Sequence, residues 1–142
     1  MVLLIDANIV LDVLMNRQPY YENSRLIWKM CLRKQAEGYI SALTFANIAY
    51  VMRKQLTPER RKYLLGALSS LFRIEELSYD DLRTAANMKW RDFEDAVQSS
   101  TASRIHADYI ITRNTKDFQD SPIPALIPEE YLAIIFAPQQ QH

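Results

Sequence analysis

Leu3-Leu4-Ile5, followed at once by Asp6, constrains this chain more than any other stretch. A short apolar run without polar alternation is the pattern of a strand covered on both faces, as in the middle of a parallel sheet. Asp6 then stands at the carboxyl end of that strand. In open α/β sheets this edge, near the point where strand order reverses, is where ligands and metal ions bind. An aspartate there also suits a turn or a helix cap.

Strand and helix signals alternate along the remainder. Residues 9–15 read as a short helix stopped by Pro19, and a second helix runs over about 21–35 with Gly38 as its terminator. Tyr39-Ile40-Ser41 is a short strand, after which Thr44 caps a helix carrying Phe45, Ile48, Val51 and Met52. Thr57-Pro58-Glu59 combines a cap, a proline at the first helical position and a first-turn carboxylate, opening a helix to about Phe72. Residues 73–77 form a half-exposed strand, and Ser78 and Asp92 open helices to about Met88 and Ile105. A buried strand over 108–112 leads through a polar loop, 113–121, to a short extended segment at 125–127 and a closing helix from Pro128 through Phe136. Strands separated by helices need crossover connections, so the predicted fold class is α/β, a mostly parallel sheet with helices on both faces. With 142 residues, two glycines and six prolines, the chain is expected to form one domain over 1–136 with a frayed tail at 137–142.

A formal net charge of zero excludes a protein that grips nucleic acid mainly by bulk positive charge, though not one with a local basic face. The single cysteine, Cys31, lies in an apolar helical pattern and reads as a small buried side chain. Without a Cys/His cluster there is no structural zinc site. No stretch reaches membrane-spanning length and no basic segment precedes the first apolar run, so a cytoplasmic protein is expected.

Acidic and amide residues gather at three expected element ends: Asp6, the group Asp92, Glu94 and Asp95, and the pair Asn114 and Asp117. Asp92 and Glu94 are accounted for as cap and first-turn residues. The face of Asp95, Gln98, Ser99 and Ala102 is polar to small and suits a cleft floor. Oxygen donors from several element ends are what Mg²⁺ or Mn²⁺ requires, and such ions acidify a bound water and offset charge on a phosphoryl group. Arg113 and Lys116 flank the last loop as candidate phosphate contacts, whereas Arg60-Arg61-Lys62 reads as a solvated helix face. His106 reads as structural, Trp28 and Trp90 as core or interface residues, and Ser41 lacks the histidine and acid that nucleophilic catalysis needs.

Four segments together resemble a PIN domain, particularly the small bacterial VapC-like toxins: 3–12, Ser41-Ala42-Leu43-Thr44, Asp92-Phe93-Glu94-Asp95-Ala96, and 111–118. The resemblance implies a three-layer α/β/α fold and Mg²⁺- or Mn²⁺-dependent endoribonuclease chemistry on an RNA substrate. It also implies an antitoxin partner and a homodimer. Asp6 matches the family's first acid, Asp95 its third, and Asn8 the small polar residue two positions after the first. Asn47 stands where the second acid is usual and Asn114 where the fourth is, with Asp117 three residues on as a substitute carboxylate. The expected catalytic set is thus Asp6, Asp95 and Asp117, with Asn114 as a further metal ligand. Asn8, Ser41, Asn47, Arg113 and Lys116 are expected to line the site. Amides coordinate through a carbonyl oxygen but add no charge, so two further readings stand beside the nuclease. One is a PIN scaffold that binds RNA or protein without cutting. The other, a phosphatase-like hydrolase, would want Asp-x-Asp after the first strand, where this chain has Asp6-Ala7-Asn8.

Overall fold

A computed structural model describes residues 1–138. The first apolar run is strand β1 (Val2–Ile5), followed by α1 (Ala7–Leu14), α2 (Tyr21–Leu32), β2 (Glu37–Ser41) and α3 (Ala42–Val51). Next come α4 (Pro58–Leu71), β3 (Arg73–Glu75), α5 (Tyr79–Ala86), α6 (Phe93–Arg104), β4 (Tyr109–Ile111), β5 (Ala125–Leu126) and α7 (Pro128–Ile135). Short 3₁₀ turns follow α3 at Met52–Lys54 and β4 at Thr115–Phe118. Of the tail expected at 137–142, residues 139–142 lie outside the described residues.

The five strands form one sheet in the order β3-β2-β1-β4-β5, and every neighbouring pair is parallel. Side chains alternate faces along a strand, and β1 divides its apolar residues accordingly. Leu3 and Ile5 join the core made with α1, α2 and α7, including Ile9, Val10, Ile27, Met30 and Tyr131. Leu4 joins Ile110, Ala102, Ala107 and Phe118 in the core on the α6 side. All three β1 residues are fully buried. The expected α/β class and parallel sheet are what the chain adopts.

Local details differ from expectation for identifiable reasons. α2 ends at Leu32, with Lys34 at φ 57°, so Gly38 terminates no helix and instead lies within β2. A Cβ on Gly38 would stand 2.7 Å from Cys31 Sγ and 2.8 Å from Phe72 Cδ1, so β2 needs a glycine where α2 and Phe72 press on it. Thr44 is not the cap of α3. Strand β2 runs into that helix without a loop, and Ser41 caps it, its Oγ accepting from the Thr44 N–H at 3.0 Å. The expected caps Thr57, Ser78 and Asp92 each accept a backbone N–H three residues on. Arg60, Arg61 and Lys62 are exposed, as expected for a solvated face. Trp28 packs edge-on against Phe72 and Trp90 against Phe118, both as core contacts. Among the described residues no helix is long and apolar enough to cross a membrane.

Candidate active site

Strand order reverses about β1, which has β2 on one side and β4 on the other. The carboxyl ends of β1 and β4 are therefore adjacent, at the kind of switch point where α/β sheets bind ligands. Asp6 leaves β1 there, its N–H donating to Ile111 O at 2.9 Å, and Thr112 leaves β4 beside it. Asp6 is also the cap of α1.

The Asp6 carboxylate is held on both oxygens. Oδ1 accepts from the Ala7 N–H at 2.8 Å, and Oδ2 accepts from Thr112 Oγ1 at 2.8 Å and Asn8 Nδ2 at 3.3 Å. Asn8 also accepts the Arg113 N–H on its Oδ1 at 3.2 Å. Burial raises the Asp6 carboxyl above its ordinary range despite these bonds and one from Gln98, and the charge of Asp117 adds to the rise.

Asp95 sits in the first turn of α6, with its N–H on the Asp92 carboxylate at 3.1 Å. Its carboxyl is pushed up to about 7 by burial, then by the charges of Asp92, Asp6, Asp117 and Glu94. The charge of Asp6 thus reaches Asp95 despite their distance along the chain, although Asp6 itself does not line the cavity that Asp95 faces. Asp95, Asp92, Asp117 and Asp120 line a cavity of about 600 Å³ together with Lys89, Trp90, Arg91, Lys116 and Gln119. None of its three cations is held in an ion pair among the described residues.

Several expected site residues stand elsewhere. Gln98, Ser99 and Ala102 are buried under α6 and not on a cleft floor, which leaves Asp95 alone of that face in the cavity. Ser41 is fully buried and lines nothing: its Oγ donates to Gln98 Oε1 at 2.7 Å, and Gln98 Nε2 donates to Thr44 Oγ1 at 2.8 Å. This network supports the site from beneath. Asn47 directs its amide to Glu94 at 3.4 Å, so a carboxylate stands beside the position where the sequence lacks one. Asn114 is exposed and outside the cavity lining, while Asp117 lies on the 3₁₀ turn within it. Lys116 lines the cavity, but the Arg113 guanidinium does not. It is drawn to Asp12 at 2.9 Å and lies over the Tyr20 ring at 4.0 Å, in a separate small cavity with Ser24. Sequence reasoning passed over Thr112, Lys89, Arg91 and Asp12, and it placed Gln98 on a cleft floor and not in the buried network with Ser41 and Thr44. Of these only Asp12 carried a local signal, a carboxylate following the apolar run Ile9-Val10-Leu11 in α1.

Among the described residues no group of three or more His, Cys, Asp or Glu side chains is arranged to hold a metal ion by itself. The donor set nonetheless fits a hard cation. All its members are oxygens, burial and then the neighbouring acids raise Asp95, and Mg²⁺ is commonly held by one or two carboxylates with water and substrate phosphate completing its shell.

A family model described as "PIN domain" matches residues 2–116. A toxin–antitoxin complex from Klebsiella pneumoniae is similar at 26% identity and TM-score 0.67, over 88% of this chain and 96% of that one. The FitAcB structure from Neisseria gonorrhoeae gives TM-score 0.69 at 20% identity, covering 89% and 98% of the two chains. VapBC2 from Rickettsia felis, bound to a DNA fragment from their promoter, gives 0.65 at 20% identity with the same coverage. The latter two likenesses bear on the fold alone. Comparison with curated proteins yields no match.

Proposed function

The chain belongs to the PIN domain family, and from that premise we propose that it is a divalent-metal-dependent endoribonuclease, the toxin of a toxin–antitoxin pair. The observation that supports the reading is an acid-lined cavity beside the switch point, in which burial and then the charges of Asp92, Asp6, Asp117 and Glu94 push the Asp95 carboxyl up to about 7. A cation is what such a site lacks electrostatically. Asp6 and Asp95 would hold Mg²⁺ or Mn²⁺, with Asp117 as a third carboxylate from the loop. When bound, the ion supplies a water of lowered pKa and positive charge against the phosphoryl oxygens.

The chain's own residues do the positioning. Thr112 and Asn8 fix the orientation of the Asp6 carboxylate through Oδ2. Lys116, Lys89 and Arg91, all lining the cavity, would offer unpaired cations to the phosphates that flank the cleaved one. A polyanionic strand lying across an acidic centre needs such cations beside the acids. An antitoxin partner is supported by the toxin–antitoxin complex from Klebsiella pneumoniae. The toxin reading also carries a homodimer in solution, which light scattering would measure.

The test is incubation of the purified protein with single-stranded RNA and Mn²⁺ or Mg²⁺. Cleavage is expected, EDTA stops it, and Asp6→Asn lowers the rate by about a hundredfold or more. Asparagine caps a helix about as well as aspartate, so this variant keeps the α1 start. Cleavage that survives Asp6→Asn would remove the mechanism. Absence of cleavage with both ions would favour the non-cutting scaffold, the reading that Asn47 and Asn114 support.

A further inference from the structure

Asp12 is fully buried in α1, yet it belongs to none of the groups that face the cavity. Its Oδ2 accepts from Arg113 Nε at 2.9 Å and from Ser24 Oγ of α2 at 3.2 Å. Its Oδ1 has no hydrogen-bond partner and faces Arg17 Nη1 at 4.0 Å. Burying a carboxylate with one oxygen unsatisfied is costly, and an apolar residue of similar volume would serve a core at least as well. A stability role alone gives no reason for this charge.

The other end of Arg113 supplies one. Asn8 and Asp12 are four residues apart on α1 and so lie on one face of that helix. They take hold of residue 113 at two points, Asn8 by its main-chain N–H at 3.2 Å and Asp12 by its guanidinium at 2.9 Å. Tyr20 stacks on the guanidinium and completes its placement. Residue 113 lies between Thr112, whose hydroxyl donates to Asp6 Oδ2, and Asn114, whose N–H donates to that hydroxyl oxygen at 3.1 Å. The Asn114 carbonyl in turn accepts the Asp117 N–H at 3.0 Å. One clasp therefore fixes the course of the loop that carries Asp117 and the hydroxyl that orients Asp6.

We propose that Asp12 is a positioning residue, its carboxylate anchoring the Arg113 side chain so that the 112–117 loop holds its place beside Asp6. Its consequence for cleavage rests on the nuclease reading above; its consequence for the loop does not. The anchor also assigns Arg113 a role other than phosphate contact, since its guanidinium is already committed to Asp12.

The decisive experiment is amide hydrogen exchange in the metal-free protein, which requires no activity. In Asp12→Asn the amides of Arg113, Asn114 and Asp117 are expected to exchange at least tenfold faster, while those of Ile110 and Ile111 in β4 keep their wild-type rates. Arg113→Gln, a change at the more exposed partner, should reproduce the pattern, and it provides the test if Asp12→Asn fails to fold. Unchanged rates at 113–117 would overturn the proposal. So would an equal acceleration at 110–111, which marks a general loss of stability. Where the wild type cleaves RNA, either variant should lower kcat about tenfold with KM unchanged, and the double variant should be no worse than the poorer single one. Failure of the wild type to cleave would count against the nuclease reading and leave the exchange result to decide the role of Asp12.

Discussion

At the scale of single residues, Asp95 shows how a site of this kind stands against stability. Its carboxyl titrates at about 7 in the folded protein, against an ordinary 3.8. A group with a raised folded pKa contributes its full stability below the unfolded value and loses it as pH climbs through the folded one. Asp95→Asn should therefore leave the melting temperature of the metal-free protein unchanged below about pH 4 and raise it above pH 7. The gain should be on the order of 1 kcal/mol, well short of the full linkage value because solvent screens a half-buried group. Thermal melts across that pH range in EDTA would check this. Asp6 and Asp95 were legible in the sequence because each follows a local signal, a buried strand and a helix cap. The roles of Asp12 and Gln98 were not, because their partners, Arg113 for one and Ser41 and Thr44 for the other, lie far away along the chain.

At the scale of elements, α6 carries Asp95 at its start and is clamped at its end. Arg104 Nε donates to both Asp81 oxygens at 3.1–3.2 Å, Nη1 meets Glu75 at 2.7 Å and Nη2 donates to the Glu76 carbonyl. These bonds join α6 to the start of α5 and the end of β3. Burial alone would raise the Asp81 carboxyl, but hydrogen bonds from Arg104 and Ser78 and the Arg104 charge hold it below its ordinary 3.8. The stability this contributes is present above that value and lost as pH falls through the depressed one. Asp81→Asn should cost about 2 kcal/mol at neutral pH, with the gap to wild type narrowing under acid conditions, as urea unfolding would show. In β2, Gly38→Ala should cost about 1–3 kcal/mol, because both side chains its methyl would meet, Cys31 and Phe72, are buried. Adding Cys31→Ala should return part of that loss. The caps at Thr57, Ser78 and Asp92 could be read in advance since cap and first turn are contiguous. The roles of Gly38 and Ser41 could not, since they depend on Phe72 pressing on β2 and on a strand that passes into a helix with no turn between.

At the scale of the whole molecule, the strand order places the site. Alternating strand and helix signals implied a parallel sheet but left its order open, and only the order puts β4 against β1 and Thr112 against Asp6. Because the acids come from parts of the chain that meet only in the folded state, an ion bound between them stabilises that state. At a hundredfold excess over its dissociation constant, one ion adds about 2.7 kcal/mol. Mn²⁺ should therefore raise the melting temperature of the wild type at pH 8, and the same addition should leave Asp95→Asn unmoved. A melting temperature indifferent to Mn²⁺ in the wild type would argue that the acids hold no ion in the absence of substrate.

The outermost strands of the sheet, β3 and β5, are only three and two residues long. Each gives an intruding extended segment few free backbone groups to zip onto, and such abbreviated margins are one way proteins avoid joining edge to edge into fibres. A protein built this way can accumulate at high concentration with its sheet closed to chance recruits, leaving contact with other chains to side-chain surfaces, where selectivity can be written.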